Sequence, residues 1–138
     1  MSAQFDFGTA HSYANSRDGI AIPVFLRSGE IEVEFTAMLD TGATFCLFQR
    51  SYCEALGLDL KAGLRQEFRT ATGRFEAYGH ELTLSTLGIE MDATVYFFAD
   101  AAIRKNVLGR CGWLDRVRLA VVDYEQVLCL APYDSSFQ

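Results

Sequence analysis

One carboxylate sits at the centre of the most informative stretch of this 138-residue chain. In Ala37-Met38-Leu39-Asp40-Thr41-Gly42-Ala43-Thr44-Phe45-Cys46-Leu47-Phe48, apolar residues lead up to Asp40 and follow Thr44. Asp40, Thr41 and Gly42 therefore read as a tight turn between a buried strand and a second extended piece. An ionised carboxylate in an apolar setting is costly unless hydrogen bonds or a partner compensate it. Thr41 offers a hydroxyl and Gly42 an unobstructed backbone N–H beside it. The chemistry open to such a group is proton transfer.

The other reactive side chains form no such constellation. His11 and His80 are isolated and read as surface or internally satisfied residues. Cys46, Cys53, Cys111 and Cys129 show no C-x-x-C pair and no neighbouring His, which argues against a zinc site and against a disulfide scaffold. They read as free, mostly buried thiols; Cys46, so near Asp40, would make activity sensitive to thiol reagents if exposed. Trp113 reads as a core residue.

The elements that must position Asp40 are legible as strands. Ile20 to Arg27 and Ile31 to Leu39 are rich in Val, Ile and Phe and are joined by Ser28-Gly29-Glu30, a hairpin pattern. In the second run Ile31, Val33 and Phe35 alternate with Glu32, Glu34 and Thr36 until Ala37, where the chain turns into the core. Gln49 to Gly57 predicts a short helix that stops at Gly57. Gln66 to Tyr78 predicts two strands joined at Ala71-Thr72-Gly73-Arg74. Leu82 to Leu87 and Ile89 to Phe98 continue as a meander, Gly112 to Val117 predicts another short helix, and Leu119 to Leu130 a final hairpin around Glu125. Residues 1–18 lack sustained periodicity and read as an N-terminal arm, either docked through Phe5, Phe7 and Tyr13 on the domain or a partner subunit, or disordered. Residues 19–131 read as one domain and 132–138 as a tail.

On Asp40-Thr41-Gly42-Ala43-Thr44, and on a second motif at Val107-Leu108-Gly109-Arg110, the chain resembles the retropepsin-like, single-domain aspartic proteases. Val107 follows Asp40 by 67 positions, similar to the family's spacing and enough for a flap hairpin between the motifs. The resemblance implies an all-β acid-protease half-barrel of hairpins with a flap and one or two short helices. It implies an aspartic endopeptidase with Asp40, Thr41 and Gly42 as catalytic residues, and Ala43, Thr44, Ala71, Thr72, Gly73 and Arg74 on the substrate. Leu108, Gly109 and Arg110 would support the site. No metal or organic cofactor is implied. No other aspartate is followed by Thr/Ser-Gly, so the second carboxylate of the dyad would come from Asp40 of an identical subunit in a homodimer. Thr41 would hold the two loops in register. Viral relatives carry an acid just after Asp-Thr-Gly-Ala that pairs with the Arg of the second motif. Here Thr44 and Phe45 stand in that neighbourhood, closer to cellular and bacterial members, and Arg110 lacks its obvious partner.

A formal net charge of −6 without a run of Lys or Arg argues against nucleic acid or an anionic membrane as a partner. Half the residues are hydrophobic, enough for a core, yet no apolar run could span a bilayer and Met1 to Asn15 does not read as a secretory signal, which predicts a cytoplasmic protein. Two readings stand beside the peptidase acting on extended polypeptide. One is a catalytically silent dimerisation or peptide-binding module of the same fold. The other is a lipocalin-like barrel for apolar ligands, whose sign would be a monomer with a ligand-sized cavity.

Overall fold

The computed structural model describes Gln4 and residues 6–133. Ten strands dominate: β1 (Thr9–Ser12), β2 (Ala21–Ser28), β3 (Ile31–Leu39), β4 (Leu47–Phe48), β5 (Leu64–Thr70), β6 (Gly73–Thr86), β7 (Ile89–Phe98), β8 (Val107–Leu108), β9 (Val117–Val122) and β10 (Val127–Pro132). One α-helix, α1 (Arg50–Ala55), and three single 3₁₀ turns complete the described residues.

Period-two patterning explains most of the strands. In β2, Ile22, Val24 and Leu26 are fully buried and their neighbours only partly so. Pro23 is tolerated because β2 pairs along its length with β3 but meets β6 only from Phe25 to Arg27, leaving one edge open at Pro23. The larger sheet runs β2-β3-β8-β4-β7-β6-β5 and closes through the pairing of β2 with β6. Its fourteen-residue β6 carries β5 on the first half of one edge and β2 on the second half, with β7 along the other edge. The enclosed volume is filled by side chains, among them Ile22, Leu26, Phe48, Leu84, Val95, Phe97 and Leu108, so this barrel encloses a core in place of a lipocalin-like ligand chamber.

A smaller sheet, β1-β10-β9, lies at the chain ends. The segment read from sequence as an arm thus carries a strand, Thr9 to Ser12, in register with Leu130 to Val127. Four residues are too few for alternation to stand out, and the pairing rests on backbone hydrogen bonds. Tyr13 follows it into the core, where its phenol donates to Asp123 Oδ1 at 2.5 Å. Burial, then the Asp123 carboxylate, pushes that phenol up to about 12. Phe5, grouped with Phe7 and Tyr13 in the sequence reading, and the tail beyond Tyr133 lie outside the described residues.

The expected helix at Gly112 to Val117 is a single 3₁₀ turn at Leu114–Arg116. Gly112 donates its N–H to Asp115 Oδ1 at 3.0 Å, and β9 begins at Val117, so there is no room for a second turn. Among the described residues no helix is long and apolar enough to cross a membrane.

Trp113 is fully buried and its indole N–H donates to the buried Thr86 hydroxyl at 2.9 Å, which ties the segment after β8 to the end of β6. Thr86→Val keeps the shape and leaves that N–H without an acceptor. We expect a loss of about 1–3 kcal/mol, read by urea denaturation from the fluorescence of the single tryptophan.

Candidate active site

Asp40 is delivered to the surface by β3, the second strand of the first hairpin. Leu39 donates its N–H to Ile20 O (2.9 Å) and Met38 to Asn106 O (2.9 Å), so both flanks of the strand are held just before the turn. Asp40 donates its own N–H to Leu108 O at 3.0 Å, and the turn closes through Ala43 N–H to Asp40 O at 3.2 Å. The carboxylate accepts the Gly42 N–H through Oδ1 at 2.9 Å. A Cβ at Gly42 would stand 3.3 Å from that oxygen, so any side chain here asks the carboxylate to shift by a few tenths of an ångström. The Thr41 hydroxyl makes no hydrogen bond among the described residues. Asp40, Thr41 and Gly42 are all exposed in the single chain, although the apolar flanks read as a buried acid. The strand enters the core, but the turn carries the carboxylate back out to the wall of a cleft.

The second motif lies directly beneath. β8 runs parallel to β3, with Met38 opposite Val107 and Leu39 opposite Leu108, and it separates β3 from β4. Arg110 N–H donates to Ala43 O at 2.9 Å and Cys111 N–H to Thr44 O at 2.7 Å. Asp40 to Thr44 are thus brought together with Leu108, Gly109 and Arg110 by backbone bonds. A Cβ on Gly109 would collide with the Phe45 carbonyl and stand 2.8 Å from Ala43 O, so only glycine permits this approach. Leu108 is fully buried, while the Arg110 side chain is exposed and makes no ion pair among the described residues.

The tip at Ala71-Thr72, with Gly73 and Arg74 beyond it, ends the β5–β6 hairpin, as the sequence predicts. Thr70 holds the tip, accepting the Thr72 N–H (3.3 Å) and donating to Gly73 O (3.1 Å). Arg74 reaches Glu67 across the hairpin at 3.6 Å. The tip makes no hydrogen bond to the Asp40 loop among the described residues; the connection is aromatic and lies lower. Phe68 of β5 stacks on Phe75 of β6 and meets Phe45, four residues beyond Thr41, edge-on with ring centres 5.8 Å apart. Tyr96 packs against both Phe45 and Phe68. Sequence reasoning missed this cluster. Its one signal was the placement of Phe68 and Phe75 at matching distances from the turn.

Asp40 lies on the wall of a cleft of ≈ 660 Å³ that also includes Asp18, Thr36, Met38, Leu39, Arg104, Lys105, Asn106 and Val107. Among the described residues no group of three or more His, Cys, Asp or Glu could hold a metal ion. Cys46 is fully buried, so the condition attached to it from sequence is not met; Cys111, paired with Phe45 in the same layer, is the exposed thiol. Burial pushes the Cys46 thiol up to about 12 and the Cys53 thiol up to about 11.

A family model described as aspartyl protease matches residues 28–111, a span that runs from the end of β2 through the Asp40 turn and the hairpin to the second motif. No curated protein sequence matches. Among solved structures, the chain is similar to a retropepsin-like aspartic protease from Rickettsia conorii, with 22% identity and a TM-score of 0.67 over 88% of this chain and 98% of that one. At that identity the likeness shows the fold, which is the all-β retropepsin-like one.

Two outcomes are expected from this geometry. Gly109→Ala must push the Ala43–Phe45 backbone away, which we expect to cost about 3 kcal/mol or more in urea denaturation. The buried thiols give a pH dependence: their folded-state values lie above the ordinary 9, so the stability they contribute is complete below pH 9 and is lost as pH rises through 11 to 12. The urea midpoint should fall across that window, less steeply in Cys46→Val. At neutral pH, thiol reagents should label Cys111 first and Cys46 and Cys53 only on unfolding.

Proposed function

The chain belongs to the aspartyl protease family, and from that membership we propose that it is an aspartic endopeptidase active as a homodimer on extended polypeptide. The observation that carries the reading is Asp40 itself, exposed on a cleft wall with one oxygen held by the Gly42 N–H and its backbone locked to Leu108. The chain has one such turn. A second copy related by a two-fold axis would bring a second Asp40 opposite the first, with the exposed Thr41 hydroxyls at the junction.

In that pair two like charges in close approach share one proton, and the dyad titrates as a unit. The ionised carboxylate takes a proton from the water between them as its oxygen attacks the scissile carbonyl carbon. The protonated partner donates to the carbonyl oxygen, giving a neutral tetrahedral diol. Collapse passes a proton from a diol hydroxyl through the carboxylate to the departing amide nitrogen and breaks the C–N bond. The nucleophile is water, so no acyl-enzyme forms. The exposed hairpin tip at Ala71 to Arg74 suits closure over the bound peptide, while Ala43 and Thr44 border it from below.

Asp40→Asn should abolish cleavage of a denatured-protein or peptide-library substrate between about pH 4 and 7, with the fold and the dimeric mass retained. Asp18 shares the cleft but lacks the turn, so Asp18→Asn should still cut. Cleavage by Asp40→Asn, or its loss in Asp18→Asn with Asp40 intact, would refute the shared Asp40 dyad. A folded dimer of the native sequence that cuts nothing would favour a silent peptide-binding module.

A further inference from the structure

The cleft beside Asp40 holds two adjacent cations, Arg104 and Lys105, in a chain whose formal net charge is −6. Both side chains are exposed, and neither makes an ion pair among the described residues, whereas Arg27, Arg50, Arg65 and Arg74 all reach a carboxylate.

Their backbone is fixed on both sides. Upstream, Ala102 N–H donates to Asp100 Oδ1 at 2.8 Å, Ile103 N–H to Asp100 O at 3.2 Å, and Ile103 packs on the aromatic cluster under the hairpin. Downstream, Asn106 accepts the Gln49 N–H through Oδ1 (3.0 Å), its amide meets Thr36 O (3.4 Å), and its carbonyl accepts the Met38 N–H. Two exposed cationic residues on a pinned segment thus line the same cleft as Asp40.

Resting on the endopeptidase reading, we infer that Arg104 and Lys105 select substrates with an acidic side chain near the scissile bond. The register that sets Leu39 opposite Leu108 sets Asp40 opposite Gly109, so Lys105 and Arg104 lie four and five residues back along the neighbouring chain. Arg104 and Lys105 lie outside β8, so the extended rise of about 3.3 Å per residue sets an upper limit of about 13–17 Å. Their own side-chain reach shortens it further, which places the favoured carboxylate within about four residues of the bond cut. The two-fold mate would present the same pair at the opposite end, so acids on both sides of the bond are favoured together. Asp18 and Asp40 are the opposing charges in the cleft. Asp40 is engaged at the reacting bond, which leaves two cations against one carboxylate for the substrate's flanks.

The test uses peptides that differ only by Glu, Gln or Lys at those positions. The native protein should show kcat/KM for Glu over Gln raised by between about two- and tenfold at low salt, falling as salt rises. The ratio should drop to near one in Arg104→Gln/Lys105→Gln and persist in Lys61→Gln, which alters an exposed cation outside the cleft. The same peptides, fluorescein-labelled, are titrated into Asp40→Asn with and without the double change, so charge selection is read whether or not a bond is cut. Equal affinity for Glu and Gln peptides, or an acidic preference that survives loss of both cations, overturns the inference. Acid-selective binding without cleavage by the native protein upholds it and removes the endopeptidase reading; charge-blind cleavage does the reverse.

Discussion

The structure depends on how closely the backbone of residues 108–111 lies against the backbone of residues 40–45. Three main-chain hydrogen bonds join them, from Asp40 to Leu108, Arg110 to Ala43 and Cys111 to Thr44. Each contributes only about 1 kcal/mol net, yet together they tie the turn to the second motif at three points. The approach exists because residue 109 has no side chain. Leu108 and Trp113, both fully buried, fill the space on the core side, so the Asp40 turn is backed by packed side chains.

The hairpins and the turn were legible because their signals are local. Alternation in β2 and β3, the small residues at Ala71 to Gly73, and Gly57 after α1 each state their own conformation within a few positions. Asp40 and its two motifs were legible for the same reason. What escaped depends on residues far apart in the chain. The closure of the barrel rests on Phe25 to Arg27 meeting Thr83 to Ser85, and the pairing of β1 with β10 joins the two ends. The strand β6 read as two elements because the hairpin and the meander have different partners, although the chain between them never leaves the sheet. Arg104 and Lys105 carry no sequence pattern that links them to Asp40; only the fold shows that they line the same cleft.

The exposure of Asp40 in one chain fits the proposed pairing of two. A lone carboxylate open to solvent keeps its hydration. In the paired state the opposing carboxylate and the closed hairpin would remove that water. The energetic cost of confining charge then arises on assembly, and the folded single chain need not carry it.

The unbroken course of β6 has a consequence for how this scaffold can change. Its first half forms the hairpin over the cleft and its second half seals the barrel against β2, on one pleated ribbon. Because side chains alternate strictly along a strand, inserting a single residue between the two halves would exchange inward and outward positions for everything beyond it. Leu82 and Leu84 would face outward and Thr83 and Ser85 inward, unless a bulge absorbed the extra residue. The stem of the hairpin is therefore held in phase with the barrel, while Ala71 and Thr72 lie outside both strands. Variation in the reach of this hairpin is confined to its crest, or to steps of two residues along its stem.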